Sequence, residues 1–181
     1  MGSIRLEDLP NYTYADYRNW EGRWELIRGV AYAMSPSPVL VHQNLTKAIA
    51  FELDKALNTC PGCVAVLALD WKIDDSTVLC PDNAVVCRLS PDSDYIDKPP
   101  VMVFEVLSPA TKHKDRTVKF ALYQEQGVAY YIMVDPKGLF AEIYQLQGSR
   151  YRMVREIETD CFDFDLGECR IAFEFGKIFR G

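Results

Sequence analysis

A chain of 181 residues, 49% hydrophobic and 25% charged, suits one globular domain with a real core and argues against global disorder. The net charge of −6 counts against a broad electrostatic grip on nucleic acid and leaves room only for a local one. No stretch approaches the roughly 18–20 apolar residues that a membrane span needs.

In chain order, the N-terminus MGSIRLEDLPNYTYADY lacks the basic start and apolar stretch of a secretory signal. Leu6 stands where an N-myristoylation pattern wants Ser or Thr, so the expectation is a cytoplasmic protein with no membrane attachment. WELIRGVAYAM at 24–34 reads as two short strands around a turn at Arg28-Gly29. SPSP at 35–38 breaks the chain and supplies caps. From 39 to 57, Val41, Leu45, Ala48, Ile49, Leu53, Ala56 and Leu57 recur at helical spacing and predict an amphipathic helix. CPG ends it. VAVLALDWKID at 64–74, TVLCPDNAVVC at 77–87 and VMVFEVLS at 101–108 are apolar and strand-like, with a polar, proline-marked loop between the last two.

Residues 112–126 read as a second helix with Val118, Ala121 and Leu122 inside and Gly127 as its C-cap. VAYYIMVD, LFAEIYQLQ and YRMVREI then predict three strands of an antiparallel meander, divided by PKG and GS. The tail at 160–179 mixes aromatics with acids and gives no clear element. The fold class expected is α/β (α+β): a mixed β-sheet flanked by helices, ending in the meander.

Six cysteines stand at 60, 63, 80, 87, 161 and 169. CPGC at 60–63 has the spacing of a zinc knuckle or a redox pair, but zinc needs a second ligand pair. Cys80 and Cys87 have six residues between them and no histidine nearby, so the preferred reading is a Pro-Gly turn with incidental thiols. Nothing marks the chain as secreted, so disulfides are not expected either.

The chemistry concentrates on two acids. Asp82 in CPDNAVV and Glu105 in FEVLS each sit in or near a predicted strand. Neighbouring strands lie about 4.8 Å apart, so two carboxylates on them can converge. Held close, they repel unless a proton or cation lies between them, and a hard cation such as Mg²⁺ takes oxygen ligands of this kind. Lys112, His113, Lys114, Arg116 and Lys119 form a basic cluster behind Glu105, which ordinarily marks a solvated helix face. Lys119 falls at the rim of the helix's apolar face, where its ammonium can reach the carboxylates. Asp115, one turn earlier, offers it an ordinary i, i+4 ion pair as the competing explanation.

The Pro-Asp pair at 81–82 followed by FEVLSPATKHKDRTVKFALYQEQGVAYYIMVDP at 104–136 resembles the Uma-two family of the PD-(D/E)XK nuclease superfamily. WELIRG at 24–29 and AMSPSPVLVHQ at 33–43 share in the resemblance, which runs from about Glu21 to the C-terminus. It implies a single restriction-endonuclease-like domain over 1–181, with 1–20 as an N-terminal extension. It also implies a metal-dependent DNA endonuclease that hydrolyses phosphodiesters with Mg²⁺, or Mn²⁺, and no organic cofactor. Asp82 and Glu105 would be catalytic metal ligands, joined by the Val106 backbone carbonyl. The superfamily's lysine normally stands two residues after the second acid, where this chain has Leu107; Lys119 matches the family's replacement on the following helix.

By the same resemblance Glu25 matches an additional metal ligand, with a strand-edge carboxylate as the equal alternative. His42 would touch a substrate phosphate or metal-bound water, though a surface or capping role is preferred on general grounds. Ser108, Lys112 and Lys114 are further substrate contacts, and Ser108 and Thr111 could equally cap the second helix, whose N-terminus favours a phosphate. The competing reading keeps the nuclease fold without cleavage, as a domain that binds DNA or a protein. A third is an oligomerising domain whose meander aromatics, Tyr130, Tyr131, Phe140 and Tyr144, form an interface. A homodimer is the assembly expected.

Overall fold

The computed structural model describes residues 10–34 and 39–179. The SPSP break and the extreme N-terminus therefore lie outside the described residues. A four-residue helix, α1 (Tyr14–Tyr17), is closed by a capping box between Thr13 and Asp16. It leads into the hairpin β1 (Trp24–Ile27) and β2 (Val30–Ala33), as the alternation of side chains predicts. Arg28 and Gly29 both have positive φ, 50° and 79°, the left-handed pair that a two-residue hairpin loop requires.

A Cβ on Gly29 would also lie 2.2 Å from Asn11 Oδ1. Gly29→Ala is therefore expected to cost more than about 1 kcal/mol. Thermal denaturation checks this, and an unchanged midpoint would show that the turn tolerates a side chain.

The long helix is α2 (Leu40–Ala56), extended by a 3₁₀ turn at Leu57–Thr59. It buries Leu45, Ile49 and Leu53, whereas Val41 is exposed. Two of the predicted strands each divide into two. The run at 64–74 becomes β3 (Cys63–Leu67) and β4 (Trp71–Asp74), broken where Ala68 takes a positive φ of 49°. The run at 77–87 becomes β5 (Thr77–Leu79) and β6 (Asn83–Cys87). Pro81 cannot donate to a ladder, so the chain leaves one sheet before it and enters another after it. Asp82 consequently sits in the crossing, not within a strand.

Next come β7 (Met102–Val106) and a helical run over 112–125 composed of α3 (Lys112–Lys114), a π turn (Asp115–Lys119) and α4 (Phe120–Glu125). β8 (Tyr130–Asp135), β9 (Phe140–Gln147) and β10 (Arg150–Ile157) form the predicted antiparallel meander. The tail resolves into a hairpin, β11 (Cys161–Asp165) and β12 (Arg170–Glu174), followed by α5 (Phe175–Ile178).

The main sheet has the order β10-β9-β8-β7-β6-β3, and β7–β8 is its parallel pair. A smaller sheet has the order β2-β1-β5-β4. On one face of the main sheet Met102, Phe104, Val106, Ile132 and Val134 pack against α2 and the phenylalanines of the tail. On the other face Val103, Tyr131 and Met133 pack with Leu122 and Tyr123 of the helical run. Glu105 shares the second face with Val103, because strand side chains alternate.

Three expectations need correction. The inner face of the helical run is Asp115, Lys119, Leu122 and Tyr123, while Val118 and Ala121 are exposed. Lys119, expected at the rim of this face, is drawn fully inside by Glu25 and Glu105. Of the meander aromatics offered as an interface, Tyr130 and Tyr131 are buried core residues, and Phe140 and Tyr144 are half-buried. The thiols are not incidental. Cys63 and Cys87 are register partners on β3 and β6 and form a disulfide, and Cys60 is bridged to Cys169 across 109 residues. That second approach depends on where the tail hairpin docks, which spacing along the chain does not reveal.

Candidate functional site

β1, the Pro81-Asp82 crossing, β7 and the π turn meet at one place, where the two sheets adjoin. They line a cavity of about 690 Å³, with Glu25, Asp82, Glu105, Asp115 and Lys119 in its wall. Glu25, Glu105, Asp115 and Lys119 are buried. A charge with so little water is tolerable only when paired and hydrogen-bonded, and these are.

Lys119 is the centre of the cluster. Its Nζ lies 2.6 Å from Glu105 Oε1, 2.9 Å from Glu25 Oε1 and 3.9 Å from Asp115 Oδ1. The i, i+4 pair with Asp115 is thus the longest of the three contacts. Glu25 also accepts from Lys114 and from the Cys80 backbone N–H at 3.1 Å. Burial acts to raise its pKa, but Lys119 and Lys114 outweigh that and hold it below the ordinary carboxylate value. An exposed strand-edge carboxylate it is not.

Glu105 accepts from Tyr123 Oη and Lys119 Nζ, both at 2.6 Å. Burial pushes its pKa well above the usual range; Lys119 opposes this, while Asp82, Asp115 and Glu25 add to it. Burial works against the Lys119 ammonium, yet Glu105 and Glu25 keep its pKa well above the free value. Lys119 is shared by three carboxylates, and burial raises the pKa of Asp115 as well as that of Glu105.

Asp82 is held by a different set. Its Oδ2 accepts from the Val106 backbone N–H at 2.8 Å and lies 3.1 Å from His42 Nε2. His42 therefore reaches back from the first turn of α2 to Asp82. His42 is half-buried against Asp82, where a surface or capping position is the one preferred from the sequence. Among the described residues, its Nδ1 and Asp115 Oδ1 are buried with no hydrogen-bond partner.

The remaining candidates divide. Ser108 and Thr111 line the cavity, and their hydroxyls lie 3.0 Å apart, with the Thr111 N–H donating to Ser108 Oγ. They build the turn that starts the helical run and aim its N-terminus at the cavity. Lys114 is taken up by Glu25. Lys112 points elsewhere, toward Asp135 at 3.7 Å, and does not line the cavity. Asp115, Tyr123 and Arg23 complete the surroundings without having been singled out as site residues. Asp115, Lys119 and Tyr123 recur every four residues, so the spacing to find them is in the sequence. The π turn that carries Asp115 and Lys119 is not, although such turns frequently mark functional sites.

The charge of the donor set favours a divalent cation. Four carboxylates face the cavity against Arg23, Lys114 and Lys119, and only Lys119 among these cations is buried. Asp82 and Glu105 interact electrostatically, and Asp115 has an unsatisfied oxygen. Among the described residues, three side-chain ligand atoms within 4.8 Å of one another occur only around the cysteines. The cavity would therefore supply few side-chain ligands, which suits Mg²⁺, a cation that keeps several waters.

The chain matches one family model, Uma2, described as "Putative restriction endonuclease", over residues 8–160. The match starts earlier and ends earlier than the resemblance beginning near Glu21. No curated protein matches. Among solved structures, the chain is similar to one described as a putative nuclease belonging to DUF820 from Anabaena variabilis. The identity is 15%, the TM-score is 0.72, and the match covers 92% of this chain and 97% of that one. At that identity the likeness establishes the fold, which is the mixed α+β architecture read from the sequence.

Proposed function

We propose that this chain, which belongs to the Uma2 family, is a metal-dependent nuclease that hydrolyses phosphodiester bonds in DNA. The observation that carries the proposal is the convergence of Asp82, Glu105 and Lys119 from a crossing, a strand and a helix on one cavity. Asp82, Glu105 and the Val106 carbonyl would hold Mg²⁺ or Mn²⁺, with Glu25 as a further candidate. Such a cation, when bound, polarises a phosphoryl oxygen and lowers the pKa of a coordinated water.

The protein's own groups do the rest. Tyr123 and Lys119 fix Glu105, while His42 and the Val106 N–H fix Asp82. The Lys119 ammonium stands where it can offset the charge that develops on a phosphate under attack. Arg23, Lys114 and the start of the helical run present positive potential to an entering phosphate. A homodimer would offer two such cavities to the two strands of a duplex.

Titration of Mg²⁺ and Mn²⁺ by calorimetry, with and without duplex DNA, tests the site directly. Heats and metal-dependent cleavage are expected in the wild type and in neither Asp82→Ala nor Glu105→Ala. Cleavage retained in Asp82→Ala would end the nuclease reading at this cavity. One observation favours a second reading: Lys119 already neutralises part of the acidic cluster without a metal. A domain of that kind binds DNA without cutting it, and its binding survives Asp82→Ala.

A further inference from the structure

Four of the six cysteines meet at one place. β3 and β6 set Cys63 opposite Cys87, the turn before β3 carries Cys60, and the turn between β11 and β12 delivers Cys169. Cys60 and Cys63 are buried, and Cys87 and Cys169 are partly so. The two disulfides are not separate features. The sulfurs of Cys60, Cys63 and Cys169 lie within 4.8 Å of one another, as do those of Cys63 and Cys87 with a Glu168 carboxylate oxygen. A tetrahedral zinc thiolate with Zn–S bonds of about 2.3 Å separates its sulfurs by about 3.8 Å. Three of the sulfurs, those of Cys60, Cys63 and Cys169, meet within a span of that order, and Cys87 adjoins them through Cys63.

The local backbone is also suited to it. The Cys63 N–H donates to the Cys60 carbonyl at 3.1 Å, closing the Cys-Pro-Gly-Cys turn so that both side chains point to one side. The Arg88 N–H donates to the Gly62 carbonyl at 2.7 Å, tying that turn to the end of β6. A Cβ on Gly62 would meet Glu168 Oε2 at 3.0 Å, so glycine lets Glu168 close over the turn. Glu168 in turn pairs with Arg88 at 2.7 Å. The objection raised by the sequence, that Cys80 and Cys87 make no second ligand pair, falls away: the second pair is Cys87 with Cys169.

We infer that Cys60, Cys63, Cys87 and Cys169, when reduced, form a single structural zinc site that pins the β11–β12 hairpin to the edge of the main sheet. The two disulfides are the metal-free, oxidised form of the same cluster. In a reducing compartment disulfides of ordinary potential do not persist, and four adjacent thiolates repel one another unless a cation holds them. A phosphine converts the oxidised form to the reduced one. For each disulfide, one phosphine gives two electrons to the S–S bond and leaves as its oxide with the oxygen of one water. That water's two protons stay on the two thiols. Zinc binding then displaces the four thiol protons.

The test uses the full chain reduced with a phosphine, Zn²⁺ as the ligand and Co²⁺ as its spectroscopic substitute. One zinc per chain is expected, with thiolate-to-cobalt charge transfer typical of a tetrahedral four-sulfur site. Cys161→Ser lies outside the cluster and should leave uptake unchanged, since Cys161 is exposed and free. Cys169→Ser should weaken binding at least ~100-fold. Cys169→His can ligate zinc but cannot form a disulfide, and should recover affinity to within about tenfold of the wild type. Circular dichroism confirms that each variant is folded. No stoichiometric uptake by the reduced wild type, or equal loss in Cys169→Ser and Cys169→His, would overturn the inference and leave two disulfides only.

Discussion

Replacing Lys119 with methionine is expected to destabilise the protein by about 3–5 kcal/mol at neutral pH, the usual cost of stripping a buried ion cluster of one partner. Methionine keeps an unbranched stem, so most packing survives and the loss is electrostatic. Glu25 retains Lys114, but Glu105 and Asp115 are left with no cation in contact.

The pH dependence follows from the direction of each shift. The Lys119 pKa is raised, so its contribution is fully present below the ordinary lysine value of 10.5 and disappears only as pH rises through the folded value. Across pH 5 to 7 it is therefore constant in the wild type. In the variant, Glu105 and Asp115, already raised by burial, take up protons more readily still. The deficit should shrink as pH falls from 7 to 5. Urea denaturation at the two values measures it. A loss below about 1 kcal/mol, unchanged with pH, would mean that water reaches the cluster and that Lys119 is not its keystone.

The dependence on Lys119 also explains which parts of this molecule can be read from its sequence. Periodicity locates α2, the first hairpin, the helical run and the meander, because each is decided by local alternation of apolar and polar residues. The same rule misplaces the inner face of the helical run. Lys119 reads only as a rim residue until its partners, Glu25 on another sheet and Glu105 on the adjoining strand, are known. Apolar content likewise hides the breaks at Ala68 and Pro81, although Pro81 carried the warning that a ladder cannot continue through it.

The tail is a different kind of omission. Phe162, Asp163, Phe164 and Asp165 alternate in the ordinary strand pattern, and Gly167 marks the turn at a φ of 81°. Aromatic and acidic residues side by side obscured a signal that was present. The pairing of Cys60 with Cys169 had no local signal at all. The convergence of Asp82, Glu105 and Lys119 was expected from the sequence, but the contact of Glu25 with Lys119 was not, since it depends on how the small sheet adjoins the large one.

Glu105→Gln separates the two explanations of that convergence. Activity is expected to fall at least ~100-fold and divalent-cation binding to be lost, because the amide brings no charge to the cation. Stability should behave in the opposite sense. Glu105 is raised well above its ordinary value of 4.5, so the folded protein holds this proton more tightly than the unfolded chain does. Between 4.5 and the raised value, the unfolded chain releases the proton while the folded protein keeps it. Wild-type stability accordingly declines as pH rises through that interval. The glutamine variant has no such proton to lose, and its amide oxygen still accepts from Tyr123 and Lys119, with Glu25 keeping the ammonium paired. Relative to wild type it should gain stability with rising pH and be no less stable at pH 7. Denaturation from pH 5 to 8 beside a cleavage assay gives both quantities. An inactive but equally or more stable variant means that the carboxylate is kept for a cation, at a cost to the fold. A destabilised variant with no pH trend would make Glu105 the structural partner of Lys119 and remove the main electrostatic reason for a metal there.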